Sequence, residues 1–469
     1  MNRKAYILGA GVTGLSAGWR LAESGFRVVV AEKENWIGGQ AATFQRGDYR
    51  FDLGPHKLFT VMDDVMDTIR ELLGSDLLKV PKVGKIYFNG RFVNFPVGPK
   101  DIMKVLSPGE MAVCFGSFLA AWVKGRLRGR ATSNYEEWVV SHFGRALYQK
   151  VVQPCTEKIW GESGTLGVEL AQTRIRVQSL AELAKEFIFR IKPQRVVNAP
   201  HFFYPRNGIG MLPEAIARRL VELGGEIRKG VVPARVIVRD GAVRGIDWSD
   251  GMAETLDEWD VVVSTIPKRD LLDVMTSAPG EEIQEALESL RERSLILLFL
   301  LLKKESMSDY SWIFFPEKEC IFNRVFEQNK CSPSMVPPGK TLVCAEITCK
   351  REDPMWRAQK AHIFDLAVKN LESVGLIGRD EVLDHFEVRL PHAYPIWDIY
   401  SRRNVETVLD YIEGFENLYS VGRQGGFIYG GTADSMDMGF RTARHIVARE
   451  TKEMWRANRS QFHSYVVID

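Results

Sequence analysis

Three glycines near the N-terminus restrict the fold of this chain more than any other feature. Gly9, Gly11 and Gly14 follow a short apolar run and form the pattern G-x-G-x-x-G. Residues 15–24 then repeat apolar side chains at helical spacing, and a second apolar run ends at Glu32, 18 residues after Gly14. This order of strand, glycine turn, helix, strand and acid predicts a Rossmann-type α/β unit that binds a dinucleotide.

The residue types of this motif suit the chemistry of a dinucleotide. The glycines permit a tight turn, a close approach of the backbone to a pyrophosphate and close packing of the helix on the strand. The N–H groups and the positive dipole end at the helix N-terminus favour phosphate groups. Glu32 stands where a carboxylate is needed for the adenosine ribose hydroxyls. Gly9, Gly11, Gly14 and Glu32 are therefore predicted to bind the cofactor.

The composition narrows the class of protein. The chain has 469 residues, of which 45% are hydrophobic and 26% charged, as expected for a globular protein with about two or three domains. Its net charge of +2 does not suggest nucleic acid as a partner. The six cysteines include no C-x-x-C pair, so we expect no metal site, no disulfide framework and a cytoplasmic location.

One segment raises the question of membrane contact. Residues 111–123, MAVCFGSFLAAWV, form an apolar run of helical length, and residues 124–130, KGRLRGR, are strongly basic. Such a helix could lie on an anionic membrane surface, which would make the protein peripherally membrane-associated through 111–130. It could also be a core helix whose basic end is solvated. Because short apolar runs are usually buried, the sequence favours the core helix.

The residues after Glu32 resemble one FAD-binding family. The stretch KENWIGGQAATF is similar to the E-K-x-x-x-x-G-G signature of the family that contains amine oxidases, protoporphyrinogen oxidases, phytoene desaturases and UDP-galactopyranose mutase. The resemblance implies FAD as the cofactor and contacts to it from Lys33, Gly38, Gly39 and Gln40. Gln40 stands where most of these oxidases have an arginine.

Two further segments resemble the flavin-binding parts of that family. Residues 417–447 are similar to its closing segment, in which a strand, Gly-Arg, a loop and a helix N-terminus approach the flavin. The resemblance also places a Gly-Pro-His turn beside the isoalloxazine ring. It implies cofactor contacts from Gly422, Asp434, Ser435, Met436, Gly54 and Pro55, and catalytic roles for His56, Arg423 and Tyr429.

A third region is similar to the nucleotide-sugar site of UDP-galactopyranose mutase. Residues 143–162 contain the pattern T-x-K-x-W-G, and an arginine-bearing segment follows at 170–180. The resemblance makes Trp160 the candidate for stacking and Arg174, ahead of Arg176, the candidate for binding a diphosphate. The segment HAYPIWDIY adds Tyr394 as a substrate-binding residue. The alternative is a packed helix with a buried tryptophan and a solvated arginine.

The same resemblance implies a discontinuous architecture. We expect an α/β fold with a Rossmann-type, GR2-like FAD-binding domain and a discontinuous α+β substrate domain. The predicted FAD-binding domain comprises 1–60, 204–275 and 410–448. The predicted substrate domain comprises 61–203 and 276–409, and 449–469 form a C-terminal tail.

Three functions agree with these features. The first is an FAD-dependent oxidoreductase in which an organic donor delivers hydride to the flavin. The second is a flavin-dependent mutase that rearranges a nucleotide sugar without net redox change and serves polysaccharide biosynthesis. The third is a flavin-binding protein without catalysis. The sequence favours the oxidoreductase with a small-molecule substrate.

Overall fold

The computed structural model describes residues 3–128, 132–175 and 200–465. The strands are β1 (Lys4–Leu8), β2 (Arg27–Glu32), β3 (Thr43–Arg46), β4 (Tyr49–Asp52), β5 (Leu77–Pro81), β6 (Gly84–Phe88), β7 (Arg91–Asn94), β8 (His201–Pro205), β9 (Glu226–Lys229), β10 (Pro233–Arg239), β11 (Ala242–Trp248), β12 (Ala253–Thr255), β13 (Val261–Ser264), β14 (Glu292–Leu302), β15 (Trp312–Phe314), β16 (Arg324–Glu327), β17 (Thr341–Cys349), β18 (Val382–Pro395) and β19 (Leu418–Ser420).

The α-helices of the described residues lie between these strands, singly or in runs. They are α1 (Val12–Glu23), α2 (Asp63–Leu73), α3 (Pro99–Val105), α4 (Pro108–Arg128), α5 (Tyr135–Phe143), α6 (Arg145–Leu147), α7 (Gln153–Trp160), α8 (Val168–Arg174), α9 (Met211–Glu222), α10 (Lys268–Val274), α11 (Glu281–Ser289), α12 (Pro354–Arg357), α13 (Lys360–Ser373), α14 (Ser401–Ile412), α15 (Gly422–Gly425), α16 (Thr432–Ala448) and α17 (Lys452–Ser460).

The chain divides into two compact units, and each is built from separate stretches of sequence. Unit 1 comprises Met1–Leu78, Phe203–Arg291 and Ser401–Val467, and unit 2 comprises Lys79–Phe202, Glu292–Tyr400 and Ile468–Asp469. Unit 1 is thus larger than the predicted FAD-binding domain, because it also takes in α2, α11, α14 and α17. The glycine motif lies in unit 1, and Trp160 lies in unit 2.

Unit 1 contains a five-stranded parallel sheet of Rossmann type, with strand order β19-β13-β1-β2-β9. Both faces of this sheet are covered. Ala5 and Ile7 belong to the apolar core shared with α1 and α16, whereas Tyr6 and Leu8 belong to the core on the opposite face. Burial on both faces explains why β1 is a continuous apolar run rather than an alternating one. The predicted fold class is confirmed.

Asp240-Gly241 lies at the tip of a β-hairpin that the sequence of residues 204–248 predicts, and a smaller antiparallel sheet of unit 1 contains this hairpin. Strands β10 and β11 pair in the three-stranded sheet β10-β11-β12. Asp240 and Gly241 at its tip have φ angles of 49° and 72°. Positive φ at both central residues is what a two-residue type I′ turn requires, and Asp-Gly meets this requirement with little strain.

Unit 2 is built on a seven-stranded sheet with the order β18-β14-β17-β16-β15-β6-β7. Its pairs are antiparallel except for β15 with β6. Strand β14 carries the apolar run of residues 295–302 and is buried along it. Alternate side chains of β14, including Ile296, pack with Ile363 of α13 in the core of this unit.

Helix α4 corrects one expectation. The apolar run of residues 111–123 does form a helix. The prediction that this helix is buried in a core is wrong. Most of its apolar side chains are exposed: Val113 is 60% exposed, Phe115 63%, Leu119 41%, Val123 46% and Leu127 79%. Among the described residues no helix is both long enough and apolar enough to cross a membrane. Helix α4 therefore presents apolar side chains to its surroundings.

The C-terminal segment is part of unit 1. Trp455 of α17 is fully buried and donates an Nε1–H hydrogen bond to Glu413 Oε1 at 2.6 Å. Arg459 Nε lies 3.0 Å from Glu413 Oε2, so that carboxylate has a cationic and a neutral partner. Burial raises the pKa of Glu413, and Arg459 opposes this shift. Residues 449–465 thus contribute to the core rather than extending from it.

Candidate cofactor and substrate sites

The glycine turn of unit 1 has the close backbone approaches that its motif predicts. Gly9 has a φ of 103°, and a Cβ atom on it would lie 2.5 Å from Thr265 Oγ1. A Cβ atom on Gly14 would lie 2.1 Å from the carbonyl oxygen of Gly9. By contrast, a Cβ atom on Gly11 would meet no atom within 4 Å. Two glycines therefore permit close packing, and the third borders open space.

Open space at Gly11 lies where a helix begins. Gly11 is the N-cap residue of α1, and it has no side chain that could cap the first N–H groups. These groups and the dipole of α1 attract anions. The turn thus has an anion-binding end and a backbone that leaves room for a ligand.

The second glycine pair lies directly against the first turn. Gly38 N–H donates to Ala10 O at 2.8 Å, and Gly11 and Gly38 form an isolated parallel bridge. Gly38 and Gly39 have φ angles of 96° and 56°, and a Cβ atom on Gly39 would lie 3.5 Å from Gly11 Cα. Only glycines adopt such a conformation readily in so close a contact. The two glycine turns therefore form one continuous backbone surface.

Glu32 lies at the end of β2 and holds this surface together. Its side chain is buried, with Oε2 accepting the Ala10 N–H at 2.8 Å and Oε1 accepting the Glu34 N–H at 3.1 Å. A carboxylate has lone pairs beyond these two hydrogen bonds and can still accept from a hydroxyl group. Lys33, which the sequence predicts at the cofactor, has a side chain that is 61% exposed and lies 4.0 Å from Glu34.

The Gly-Pro-His turn is anchored at both ends. Before it, the buried carboxylate of Asp52 accepts hydrogen bonds from Thr43 Oγ1 at 2.6 Å, from the Ile209 N–H and from the Tyr204 hydroxyl. After it, Leu58 and Phe203 exchange two backbone hydrogen bonds of 2.9 Å. Gly54 has a φ of 116°. His56 is thus held, half-buried, in a turn whose two ends cannot shift easily.

The closing segment meets the N-terminal motif along α1. A Cβ atom on Gly422 would lie 3.1 Å from Thr13 Oγ1, and one on Gly439 would lie 2.5 Å from Thr13 O. These glycines allow α15 and α16 to pack closely on α1. Residues more than 400 positions apart in the chain therefore form one site in unit 1.

The loop between α15 and α16 is closed by Arg423. Its Nη2 donates to Gly430 O at 2.7 Å, and its guanidinium carbon lies 5.1 Å from the centre of the Tyr429 ring. The structure therefore brings together two of the residues for which the sequence predicts catalytic roles. Arg423 thus contacts both Tyr429 and Gly430 at the far end of this loop.

The start of α16 contains an acid with an altered pKa. Asp434 Oδ2 accepts the Gly431 N–H at 2.7 Å, which caps the helix. Burial raises the pKa of Asp434 to about 6, and the nearby Asp437 acts in the same direction. Ser435 Oγ donates to Gly431 O at 3.0 Å. Met436 is fully buried in the apolar core, so only its backbone is available to a ligand.

Sequence reasoning missed two charged residues of this site, Asp52 and Lys268. Lys268 is only 4% exposed, and its Nζ donates to Gln424 O at 3.0 Å, which fixes the loop that contains Arg423. Its Nζ also lies 4.6 Å from the centre of the Phe427 ring. The signal available in the sequence is a lysine directly after Ser-Thr-Ile-Pro, whose serine is the last residue of β13. Asp52 likewise is the last residue of a strand, β4.

The donor set of unit 1 fits an extended dinucleotide. Backbone N–H groups at the start of α1 suit a pyrophosphate, Glu32 suits ribose hydroxyls, and the second glycine turn continues the same surface. The N-terminus of α16 and the Gly-Pro-His turn supply further backbone and side-chain groups in the same unit. FAD, when bound, would therefore be held largely by main-chain groups of unit 1.

A second cluster lies in unit 2 and contains the predicted substrate residues. The Arg174 guanidinium carbon lies 4.7 Å from the centre of the Trp160 ring, and the Trp160 and Tyr394 rings are 5.7 Å apart. Trp160 is only 5% exposed, so a base could stack on the face covered by Arg174 only after that side chain moved. Arg176 lies outside the described residues.

Charged side chains surround this cluster. The Tyr394 hydroxyl donates to Glu346 Oε1 at 3.1 Å, and Arg324 Nη2 lies 2.7 Å from Glu346 Oε2. Arg293 pairs with Tyr394 across β14 and β18, and a Cβ atom on Gly161 would lie 2.5 Å from Arg293 Nη2. The three arginines and one buried carboxylate make this region cationic rather than apolar.

These features define an FAD-binding protein of the Rossmann type. The sequence profile of the family described as flavin containing amine oxidoreductase matches residues 12–444. The chain belongs to that family: it is a flavoenzyme, and its cofactor is FAD. The predicted resemblance is thereby confirmed, and Trp160, Arg174 and Tyr394 remain predictions as substrate residues.

Known proteins agree with this assignment. A phytoene desaturase (neurosporene-forming) of Rhodobacter capsulatus is 39% identical over an alignment of 290 residues, and the alignment covers 53% of this chain and 50% of that protein. The chain spans at most about half the length of such curated relatives.

Two solved structures share the fold over nearly the whole chain. Reduced UDP-galactopyranose mutase has a TM-score of 0.83 at 20% identity, covering 100% of this chain and 98% of that one. Putrescine oxidase bound to putrescine has a TM-score of 0.64 at 14% identity, covering 96% and 100%. At these identities the likeness shows the fold alone.

Replacing Glu32 by alanine is expected to weaken FAD binding about 10- to 100-fold, because two backbone N–H groups lose a charged acceptor. The dissociation constant is measured by titrating the apoprotein with FAD and following the quenching of flavin fluorescence. Glu34→Ala is the matched control, since its side chain is 38% exposed, and it should bind FAD like the wild type. Equal affinities for both variants would refute the role of Glu32.

Proposed function

We propose that this flavoenzyme acts on a nucleotide sugar and catalyses a mutase-type rearrangement. The observation that carries the proposal is the cationic cluster of unit 2, in which Trp160, Arg174 and Tyr394 lie together. An apolar donor would need an apolar pocket, whereas a diphosphate is bound best by arginine guanidinium groups. The full-length likeness in fold to a UDP-galactopyranose mutase supports the proposal.

Each residue of the cluster then has a distinct task. Arg174 binds the diphosphate, and the Trp160 ring positions the guanidinium through a cation–π contact. Tyr394 is oriented by its hydrogen bond to Glu346, whose charge is balanced by Arg324. These contacts orient the sugar and keep the charged leaving group neutralised.

The residues of unit 1 have a complementary task. The bound FAD supplies a ring that exchanges electrons or forms a bond with carbon, according to its redox state. Gly54 and Pro55 shape the turn that presents His56, and Arg423 closes the loop carrying Tyr429. We propose that His56 faces the flavin and that Tyr429 faces the substrate.

A second candidate is the oxidation of an organic donor by hydride transfer to the flavin. The family match and the sequence likeness to a phytoene desaturase favour this chemistry. The same residues of unit 1 would support hydride transfer. That reaction does not need an arginine that binds a diphosphate.

One experiment separates the two candidates. The purified flavoprotein is reduced anaerobically and mixed with UDP-galactopyranose and related nucleotide sugars, and the products are analysed by chromatography. Interconversion only with reduced flavin and without net electron transfer supports the mutase. In a parallel reaction with the oxidised flavoprotein, oxidation of an amine or C–H donor with reduction of the flavin, together with no sugar interconversion by the reduced protein, would overturn it.

Arg174→Ala is expected to weaken binding of UDP about 10- to 100-fold, because a charged hydrogen-bond donor is lost. Arg174→Lys should recover little of this affinity, since an ammonium group lacks the planar fork that grips two oxygens. Titration calorimetry with UDP gives the dissociation constants. Arg379→Ala is the control, because that arginine is 57% exposed and pairs with Asp365. Undiminished UDP binding by Arg174→Ala would contradict the proposed site.

A further inference from the structure

Helix α4 has an apolar side that none of the described residues of unit 2 covers. With about 100° between successive residues, one continuous side of the helix contains Ala112, Val113, Phe115, Gly116, Leu119, Ala120, Val123, Arg126 and Leu127, all of them exposed. Arg126 is the only charged residue among them. Met103 of α3, 57% exposed, adds a further apolar side chain. A surface helix normally exposes its polar side, and α4 does the opposite.

The other side of α4 is fixed within unit 2. Cys114 is buried, and Ser117 Oγ accepts the Ala146 N–H at 3.1 Å. A Cβ atom on Gly144 would lie 2.6 Å from the carbonyl carbon of Ser117, so the backbones are in close contact there. Glu110 Oε1 lies 2.8 Å from Lys150 Nζ. The helix therefore cannot turn its apolar side inward without breaking these contacts.

Charge is distributed unevenly along the helix. Glu110, in the first turn, is the only acidic residue of α4, and it is paired with Lys150. Lys124 and Arg126 are exposed near the other end, and the sequence continues with Arg128 and Arg130. The guanidinium carbon of Arg126 lies 4.7 Å from the centre of the Trp122 ring. An apolar stripe with a tryptophan at its edge and cations at one end is typical of helices that lie in a membrane interface.

We infer that α4 docks on the surface of an anionic lipid bilayer, with its axis parallel to the membrane plane. Apolar side chains such as Phe115, Leu119 and Val123 enter the acyl boundary, and Lys124 and Arg126 contact lipid phosphates. We choose a lipid surface over a second copy of this chain because the apolar side ends in cations that need an anionic partner. The only acid of α4, Glu110, is already paired with Lys150, so the same face of a second copy offers these cations no carboxylate, whereas a lipid surface offers them phosphates. This docking is independent of the reaction proposed above.

The test is cosedimentation of the full-length FAD-loaded protein with vesicles. Vesicles of phosphatidylcholine alone are compared with vesicles containing about one third phosphatidylglycerol. The wild type should partition onto the anionic vesicles, and less so as salt rises. Leu119→Ser with Val123→Ser, and Lys124→Glu with Arg126→Glu, should each lower the partition coefficient about tenfold or more.

A matched pair of surface changes provides the control. Val221→Ser with Met454→Ser removes exposed apolar side chains from α9 and α17, 54% and 49% exposed, and should leave vesicle binding unchanged. Bound-flavin absorbance verifies that each variant is folded. Absence of wild-type binding to anionic vesicles, or equal binding by all variants, overturns the inference. One further outcome would also overturn the inference: the wild type is a dimer, the variant Leu119→Ser with Val123→Ser is a monomer, and neither binds vesicles.

Discussion

Alanine in place of Gly14 is expected to abolish retention of FAD and to destabilise unit 1 by about 3 kcal/mol, the upper range for overpacking. The added Cβ atom would lie 2.1 Å from the carbonyl oxygen of Gly9, which is backbone and cannot move aside as a side chain can. Helix α1 would have to withdraw from β1. The N–H groups at its start would then no longer face the position proposed for the pyrophosphate.

The measurement combines two readouts. Flavin absorbance after gel filtration reports cofactor retention, and denaturant unfolding of the apoprotein reports stability. Gly11→Ala is the control for the fold, since Gly11 has a φ of −71° and open space around a Cβ atom. It should unfold within about 1 kcal/mol of the wild type but bind FAD more weakly. A Gly14→Ala protein that remains yellow and stable would contradict the close helix-strand contact.

Trp455→Ala is expected to have the second large effect, a loss of about 4 kcal/mol in the unfolding free energy of unit 1. The side chain is fully buried, and its Nε1–H donates a hydrogen bond to the buried carboxylate of Glu413. Truncation therefore leaves a cavity and removes a hydrogen bond from an acid that cannot reach solvent. Helix α17 should detach, because the same residue packs against Phe462 and Tyr419.

Unfolding midpoints in urea and limited proteolysis of residues 449–469 test this second effect. Trp259→Ala is the matched control, since Trp259 is 39% exposed and lies in the same unit. It should change stability by no more than about 1 kcal/mol. If Trp455→Ala resisted proteolysis like the wild type, the C-terminal segment would be a dispensable tail.

Local patterns in the sequence predicted the features that depend on few neighbouring residues. The apolar strand before Gly9, the glycine turn with Glu32 and the Asp240-Gly241 hairpin follow from residue type, periodicity and spacing, which act over short stretches. The resemblance then extended these features to FAD and to the closing segment around Gly422 and Arg423. Such features can be predicted from the sequence because the residues that determine them lie within one motif.

Other features depend on contacts between distant residues, and only the folded chain decides them. The buried carboxylate of Asp52 requires Tyr204 and Ile209, and Lys268 requires the carbonyl of Gln424. Trp455 is buried because Glu413 and Tyr419 lie beside it. The apolar run of α4 has the composition of a core helix, yet α5 and α6 cover only one side of it. Burial is a property of the whole packing arrangement, and a residue's own neighbours in the chain do not determine which of its sides will be covered.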